Sequence, residues 1–263
     1  MNIPELHVET LGTRGAPAVL FLHGMAGSGA SWQPAFHPLS DQFELHFVDL
    51  LGFGASPKPE IEYSLDQHLA ALHEVARRSP GPVSIVGHSM GALLGLAYCA
   101  RHPEKVQRYV GVATPWYRSA EEARAGVARS SLFNRWLALD TPLAHAACFA
   151  MCLLRPALMP LMPSLLRNVP AAVARDSLKH SWHSYSRSLR HVLIEARPGN
   201  WLASAQAKML FVHGRRDSVA PIANLARALQ GSPRAVLVEI DAGHDLVFTH
   251  AAELSALIRR HLS

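Results

Sequence analysis

Short apolar runs rich in β-branched residues alternate along the chain with longer stretches whose apolar residues recur at helical spacing. Several runs are apolar at every position, which is typical of parallel strands covered on both faces by helices. The pattern therefore predicts an α/β fold, with a doubly wound and mostly parallel sheet. The predicted strands are AVLFLHG (18–24), ELHFVDL (44–50), VSIVGHS (83–89), VQRYVGVAT (106–114), KMLFVHG (208–214) and AVLVEIDAGH (235–244). The predicted helices between and after them are SLDQHLAALHEVARRS, MGALLGLAYCARH, PIANLARALQ and AAELSALIRRHL.

The alternation stops between Pro115 and Asn200, where the sequence is helix-like and shows no strand pattern. Prolines at 142, 156, 160, 163 and 170 interrupt the helical pattern there. We therefore predict a core domain formed by residues 1–114 and 201–263, with residues 115–200 inserted as a helical cap. Within the cap, the apolar stretch 143–166 is interrupted by Arg155 and by prolines, so we predict no membrane span. We expect this stretch to form a lid helix or the wall of a pocket.

The net charge of +5 is placed unevenly along the 263 residues. Residues 115–200 contain 11 Lys and Arg against 5 Asp and Glu, so the whole positive excess lies in the predicted cap. A solvated helical surface is one explanation, and attraction of anionic substrates, acidic carriers or membrane headgroups is the other. Peripheral membrane contact therefore stays open. We expect no nucleic-acid partner, because the arginines are dispersed and accompany no recognisable binding motif.

The N-terminal sequence and the cysteine spacing bear on the cellular location and on metal binding. The first residues, MNIPELHVET, lack a basic region followed by an apolar one, so we predict no signal peptide and a cytoplasmic protein. Cys99, Cys148 and Cys152 have no disulfide-framework spacing, and two thiols four residues apart do not make a zinc site. We expect no metal and no organic cofactor. No feature indicates the oligomeric state.

The segment Gly87-His88-Ser89-Met90-Gly91 matches the pattern G-x-S-x-G. It stands between the predicted strand VSIV and the helix-like ALLGLAYCA, which is the strand–turn–helix context that this motif needs. A serine in so sharp a turn has a strained backbone and presents its hydroxyl at the carboxyl edge of the sheet. We therefore predict that Ser89 is a nucleophile.

A serine hydroxyl needs a base, and the base needs an orienting acid. His244 follows the last predicted strand and Asp217 follows KMLFVHG, so both should lie at the same sheet edge as Ser89. The chain order Ser89, Asp217, His244 is the nucleophile–acid–base order of one fold class. We predict that these residues form a catalytic triad. The other carboxylates considered for the acid are Asp140, Asp241 and Asp245.

The negative oxygen of a tetrahedral intermediate also needs hydrogen-bond donors. The backbone N–H of Met90 follows the nucleophile at a helix N-terminus, where negative charge is favoured. The glycine-rich loop after AVLFLHG can approach the same site closely, and we predict that the Met25 N–H is the second donor.

Five segments in this order resemble the α/β-hydrolase superfamily. They are HGMAGSGASW (23–32), DLLGFGAS (49–56), GHSMGA (87–92), HGRRDSVAP (213–221) and AGHD (242–245). The resemblance covers residues 5–114 and 201–263, and it implies a serine hydrolase with the triad and the oxyanion donors named above. It implies a structural role for residues 49–56, and it leaves the cap, where this superfamily selects substrates, without a recognised motif.

The resemblance also narrows the reaction. Epoxide hydrolases and haloalkane dehalogenases of this fold use an aspartate nucleophile, whereas this chain has Ser89. Carbon–carbon bond hydrolases of the meta-cleavage type usually carry tryptophan after the catalytic histidine, whereas this chain has Asp245. We predict a carboxylesterase-type hydrolase that cleaves a small-molecule ester through an acyl-enzyme. Carbon–carbon cleavage, hydrolysis of thioesters or acyl-carrier esters, and ligand binding without catalysis remain the alternatives.

Overall fold

The computed structural model describes residues 4–32, 34–130, 142–166 and 169–263. Seven strands form one sheet in the order β1-β3-β2-β4-β5-β6-β7. The strands are β1 (Val8–Leu11), β2 (Ala18–Leu22), β3 (Glu44–Val48), β4 (Val83–His88), β5 (Val106–Val112), β6 (Lys208–Gly214) and β7 (Ala235–Ile240). All neighbouring pairs are parallel except β1 and β3. The predicted mostly parallel α/β sheet is therefore confirmed.

The first strand was not predicted from the sequence. β1 has only four residues, and Glu9, Thr10 and Leu11 are exposed, so it carries no apolar run. It pairs antiparallel with β3 at the edge of the sheet, with Val8 opposite Val48. It lacks the two-sided burial of the five inner strands, and unlike β7 at the opposite edge it has no apolar run.

Helices flank the sheet and follow the strands. The α-helices before residue 115 are α1 (Leu65–Ala76) and α2 (Met90–Arg101). Those between β5 and β6 are α3 (Ala120–Ser130), α4 (Pro142–Leu153), α5 (Arg155–Leu158), α6 (Met162–Leu165), α7 (Ala171–Asp176), α8 (Trp182–Ser188) and α9 (Pro198–Ser204), with a π-helix at Leu189–Ile194. Those after β6 are α10 (Ile222–Ala228), α11 (Leu246–Thr249) and α12 (Ala251–Leu262). Short 3₁₀ helices span Gly29–Trp32, His37–Asp41 and Pro103–Lys105.

Strand residues alternate between two hydrophobic cores, one on each face of the sheet. In β2, Leu20 and Leu22 pack into one core, whereas Val19 and Phe21 pack into the other. Every residue of β2 is buried. This two-sided burial explains why the central strands read as continuous apolar runs, because neither face is left for water.

The segment between β5 and β6 is helical, and no strand occurs in those of its residues that the structure describes. Three of the prolines that interrupt the helical pattern lie at helix starts: Pro142 begins α4, and Pro156 and Pro163 are the second residues of α5 and α6. Proline is tolerated there because the first turn of a helix leaves its N–H groups unpaired. The division into a core and a cap stays a prediction. In the part of the chain described, no helix combines the length and the apolar character needed to cross a membrane.

Candidate active site

Ser89 lies in the sharp turn that joins β4 to α2. Its backbone has φ 52° and ψ −116°, a conformation that non-glycine residues rarely adopt. Its N–H donates to the carbonyl of Val112 on the neighbouring strand at 2.9 Å. A Cβ at Gly87 would overlap the Gly91 carbonyl, and one at Gly91 would overlap the Leu22 carbonyl. The two glycines of G-x-S-x-G therefore let the turn pack against β2.

The carboxyl ends of three strands bring Ser89, His244 and Asp217 together. The Nε2 atom of His244 lies 3.0 Å from the Oγ of Ser89. The Nδ1 atom of the same ring lies 2.7 Å from the Oδ2 of Asp217. An ionised carboxylate only accepts hydrogen bonds, so Nδ1 carries the proton and Nε2 can accept from the serine hydroxyl. The three side chains thus form a continuous hydrogen-bonded relay.

Asp217 is held rigidly as an ionised carboxylate. Its Oδ1 accepts hydrogen bonds from the N–H groups of Val219 at 2.9 Å and Ala220 at 2.8 Å. Burial would raise the pKa of this carboxyl, but the hydrogen bond and charge of His244 and the Ala220 amide outweigh burial and lower the pKa. The Nε2 of the buried His213 lies 3.4 Å from Oδ2 and adds to this effect.

The other carboxylates considered for the acid have different surroundings. Asp241 is exposed and forms an ion pair with Arg216 at 3.0 Å. Asp245 precedes α11, and its carbonyl accepts from the N–H of Phe248. Asp140 lies outside the described residues. Asp217 is thus the carboxylate that is hydrogen-bonded to His244.

The loop after β2 carries Met25 beside the serine turn, and two buried side chains set its shape. The Nε2 of His23 accepts from the N–H of Leu50 at 2.9 Å, and its Nδ1 donates to the Gly24 carbonyl at 2.7 Å. Burial lowers the pKa of His23, so the ring is neutral. The Oδ1 of Asp49 accepts from the N–H of Gly29 at 2.6 Å. These bonds agree with the structural role expected for residues 49–56.

Met90 is the first residue of α2 and is fully buried. Met25 is partly buried and lines the same cavity as Ser89. A Cβ at Gly24 would come within 2.9 Å of the His88 ring, so the loop and the serine turn are in close contact. The two predicted oxyanion donors therefore belong to adjoining segments of backbone.

A cavity of about 250 Å³ opens beside Ser89 and His244. Its walls are mostly apolar and include Val127, Leu166, Val173, Leu189 and Leu193 from the segment between β5 and β6. Two of the polar groups in the wall have partners within the protein: the Tyr117 hydroxyl donates to the Val219 carbonyl, and the Ser177 hydroxyl donates to the Ala174 carbonyl. Among the described residues that line it, none is Lys, Arg, Asp or Glu. The cavity therefore suits an uncharged, apolar group.

The family model of the α/β hydrolase fold matches residues 17–251. The chain belongs to this family. The recognition made from its five sequence segments is thereby confirmed.

Alignments with similar proteins extend over nearly the whole chain of this α/β hydrolase. A pimeloyl-[acyl-carrier protein] methyl ester esterase of Chromobacterium violaceum is 30% identical over 98% of this chain and 98% of its own. The protein of that name from Aeromonas hydrophila is 29% identical over 97% of this chain and 98% of its own. Among solved structures, E-2-(acetamidomethylene)succinate hydrolase superimposes with a TM-score of 0.74 at 21% identity, covering 98% and 94% of the two chains. This last likeness supports the fold alone.

Sequence reasoning missed the contribution of His88 to this α/β hydrolase. The Nε2 of His88 donates to the backbone carbonyl of His244 at 3.0 Å, and the two ring centroids are 5.3 Å apart. Burial and the charge of His244 lower the pKa of His88 to about 3, so the ring stays neutral beside the relay. Its position inside G-x-S-x-G was the available signal, but the motif leaves that position free.

Two further contacts, between residues far apart in sequence, join the sheet side of the hydrolase to its helical segment. The Oγ of Ser28 donates to the Oδ2 of Asp176 in α7 at 2.7 Å. The Nε2 of His68 in α1 lies 2.9 Å from the Oγ of Ser188 in α8. No sequence pattern pairs residues 120 to 148 positions apart. The Ser28 contact ties the loop that carries Met25 to the wall of the cavity.

Proposed function

We propose that this protein hydrolyses carboxylic esters, with Ser89 as nucleophile, His244 as general base and Asp217 as orienting acid. The observation that carries the proposal is the relay of 3.0 Å from Ser89 to His244 and 2.7 Å from His244 to Asp217. These separations are within hydrogen-bond reach, which is the first requirement for proton transfer.

In the first step, His244 takes the proton of the Ser89 hydroxyl as its oxygen attacks the ester carbonyl. The carbonyl oxygen becomes negative, and the N–H groups of Met25 and Met90 donate to it. The imidazolium of His244 is stabilised by the buried Asp217 carboxylate. His244 then protonates the leaving alcohol, which departs and leaves the acyl group on Ser89.

In the second step, water attacks the acyl-enzyme. His244 takes a proton from this water, the same two amides hold the second oxyanion, and the Ser89 oxygen leaves with the proton that His244 returns. The apolar cavity beside Ser89 would hold the acyl chain, because its free polar groups are few and its lining carries no charge in the described residues.

The experiment that tests this proposal uses Ser89→Ala with a short p-nitrophenyl ester. We expect kcat/KM to fall by on the order of 10³ or more, because the nucleophile is removed while the oxyanion donors remain. A fluorophosphonate probe should label the wild type and fail to label Ser89→Ala. Ser204→Ala, at an exposed serine of α9, is the control and should keep both properties. Full esterase activity in Ser89→Ala would disprove the proposal.

A second candidate is an ester whose acyl chain is attached to an acyl carrier protein. It is favoured by the similarity to pimeloyl-[acyl-carrier protein] methyl ester esterases, which are 29–30% identical over 89–98% of this chain. The positive excess of residues 115–200 would attract an acidic carrier. The test compares kcat/KM for a free methyl ester and for the same acyl ester on the carrier. A carrier-linked preference of about tenfold or more, lost at high salt, would support this candidate.

A further inference from the structure

The exposed hydrophobic side chains of this protein are concentrated in one segment. Of the nine large ones that the described residues expose, seven lie between positions 143 and 166. We call them the apolar patch: Leu143, Phe149, Leu153, Leu154, Leu161, Leu165 and Leu166, which are 39% to 70% exposed. Contiguous exposed apolar surface of this kind marks a site of interaction.

Helix α4 is apolar on both its inner and its outer face. Its inner face places Met151 and Cys152 against the hydrophobic core. Its outer face exposes Phe149 and Leu153, which lie four residues apart, and Leu143 is exposed in its first turn. A helix that is hydrophobic all round normally lies in a protein core or in lipid. At about 18 Å, a helix of this length is too short to span a bilayer core of about 30 Å.

Negative charge is absent from the sequence around the patch. Residues 142–175 contain no Asp or Glu, and the wider segment 115–200 has 11 Lys and Arg against 5 acidic residues. Within the patch itself, Arg155 donates to the carbonyl of His180. The exposed Arg175 stands just beyond the patch. The surface is therefore apolar at its centre and lies in a positively charged segment.

The patch is continuous with the candidate active site. Leu166 is 39% exposed at the surface and also lines the cavity that contains Ser89. One residue of the patch therefore also belongs to the wall of the cavity that contains Ser89.

We propose that helices α4, α5 and α6 dock on the surface of a lipid layer containing anionic headgroups. The leucines would enter the acyl region, while the cations of the segment would face the headgroups. A lipid layer is the favoured occupant because its acyl region accepts the seven exposed apolar side chains without a matching groove, whereas a folded protein partner would need one. Docking itself needs no catalysis. Delivery of lipid-dissolved esters to Ser89 would in addition rest on the proposed function.

The experiment is vesicle co-sedimentation with the full chain carrying Ser89→Ala, so that binding is measured without ester turnover. One set of vesicles is phosphatidylcholine, and the other contains equal parts of phosphatidylcholine and phosphatidylglycerol. We expect the protein to partition onto the mixed vesicles and to release partly at high salt. Leu153→Ser, Leu161→Ser and Leu165→Ser should each reduce partitioning by about tenfold.

Val236→Ser is the matched control, because Val236 is 59% exposed but lies in β7, far from the patch in sequence. It should bind vesicles like the parent protein, and unchanged melting temperatures would show that all variants are folded. Failure to bind mixed vesicles would overturn the proposal. The proposal would also be overturned if the leucine variants abolished a concentration-dependent dimer. It would equally be overturned if they abolished binding of an acidic carrier protein while the parent protein did not bind vesicles. Neither failure would affect the proposed function, which the esterase assay of Ser89 tests separately.

Discussion

The serine turn and the apolar patch differ in whether their side chains find partners within the protein. At the serine turn the functional side chains have partners within the protein, and Ser89 is only 8% exposed. At the patch, Leu153 is 67% exposed and has water as its neighbour. Burying an exposed leucine side chain against a partner would be favourable by the hydrophobic effect. The side chains of the relay already have hydrogen-bond partners, so an outside partner would add little to their stability. The difference teaches that one region is complete within this chain, while the other is built for a partner.

If the side chains at the serine turn act as a hydrogen-bonded relay, Asp217→Asn should have the largest effect of the substitutions predicted here. Asparagine can still accept from Val219 and Ala220, but it no longer forces the proton of His244 onto Nδ1. We expect kcat to fall by on the order of 10³ to 10⁴, with little change in KM. The measurement is steady-state kinetics on an activated ester. Asp241→Asn, at an exposed ion pair, is the control and should keep the wild-type kcat. If Asp217→Asn lowered kcat as little as this control does, the relay would not need its carboxylate.

The second prediction makes the same substitution at the serine turn and in α9, which belongs to the helical segment between β5 and β6. Gly91→Ala should lower the free energy of unfolding by about 2–3 kcal/mol, because its Cβ would overlap the Leu22 carbonyl. Gly199→Ala lies in α9 with open space around the new Cβ, and it should raise that free energy by about 0.5–1 kcal/mol. Urea denaturation of both variants measures the two signs. Equal effects would mean that packing at the serine turn is no tighter than in the helical segment.

The sequence predicted the fold and the candidate site wherever local chemistry decides the structure. Five of the six recognised strands lie inside the sheet, and β7 was recognised from its apolar run although it is only partly buried at the sheet edge. Ser89, Asp217 and His244 each follow a recognised strand. Since parallel strands end at one edge of a sheet, position along the chain was enough to bring these residues together. Proline positions also indicated that the helical pattern between β5 and β6 is interrupted, and three of these prolines lie at helix starts.

What the sequence could not predict depends on contacts between distant segments. The exposed strand β1 has no pattern of its own, and it exists because β3 offers an unpaired edge. The stretch 143–166 was expected to form a lid helix or a pocket wall, but five of its leucines besides Leu166 are exposed and lie outside the cavity lining. Hydrophobicity alone does not tell whether an apolar helix meets its own core or something else.

A smaller effect than that of Gly91→Ala is predicted at the boundary between the sheet and the helical segment. Burial is the main reason that the pKa of His68 in α1 is lowered to about 3. In the unfolded chain a histidine has a pKa of about 6.5, so below that pH the unfolded state binds the extra proton. The stability that neutral His68 allows is therefore complete above about pH 6.5 and is lost progressively as the pH falls toward the folded value.

Between about pH 7.5 and about pH 5.5, this single group should cost about 1.4 kcal/mol of unfolding free energy. His68→Gln should make the pH-dependent loss smaller by that amount, whatever the substitution does to stability at neutral pH. The measurement is urea denaturation of both proteins at the two pH values. Ser188→Ala removes the hydroxyl that contacts His68 but keeps the titrating ring, so it should retain the wild-type pH dependence. If His68→Gln also retained the wild-type pH dependence, His68 would be able to take up a proton in the folded protein. The contact between α1 and α8 would then be looser than the packing at the serine turn.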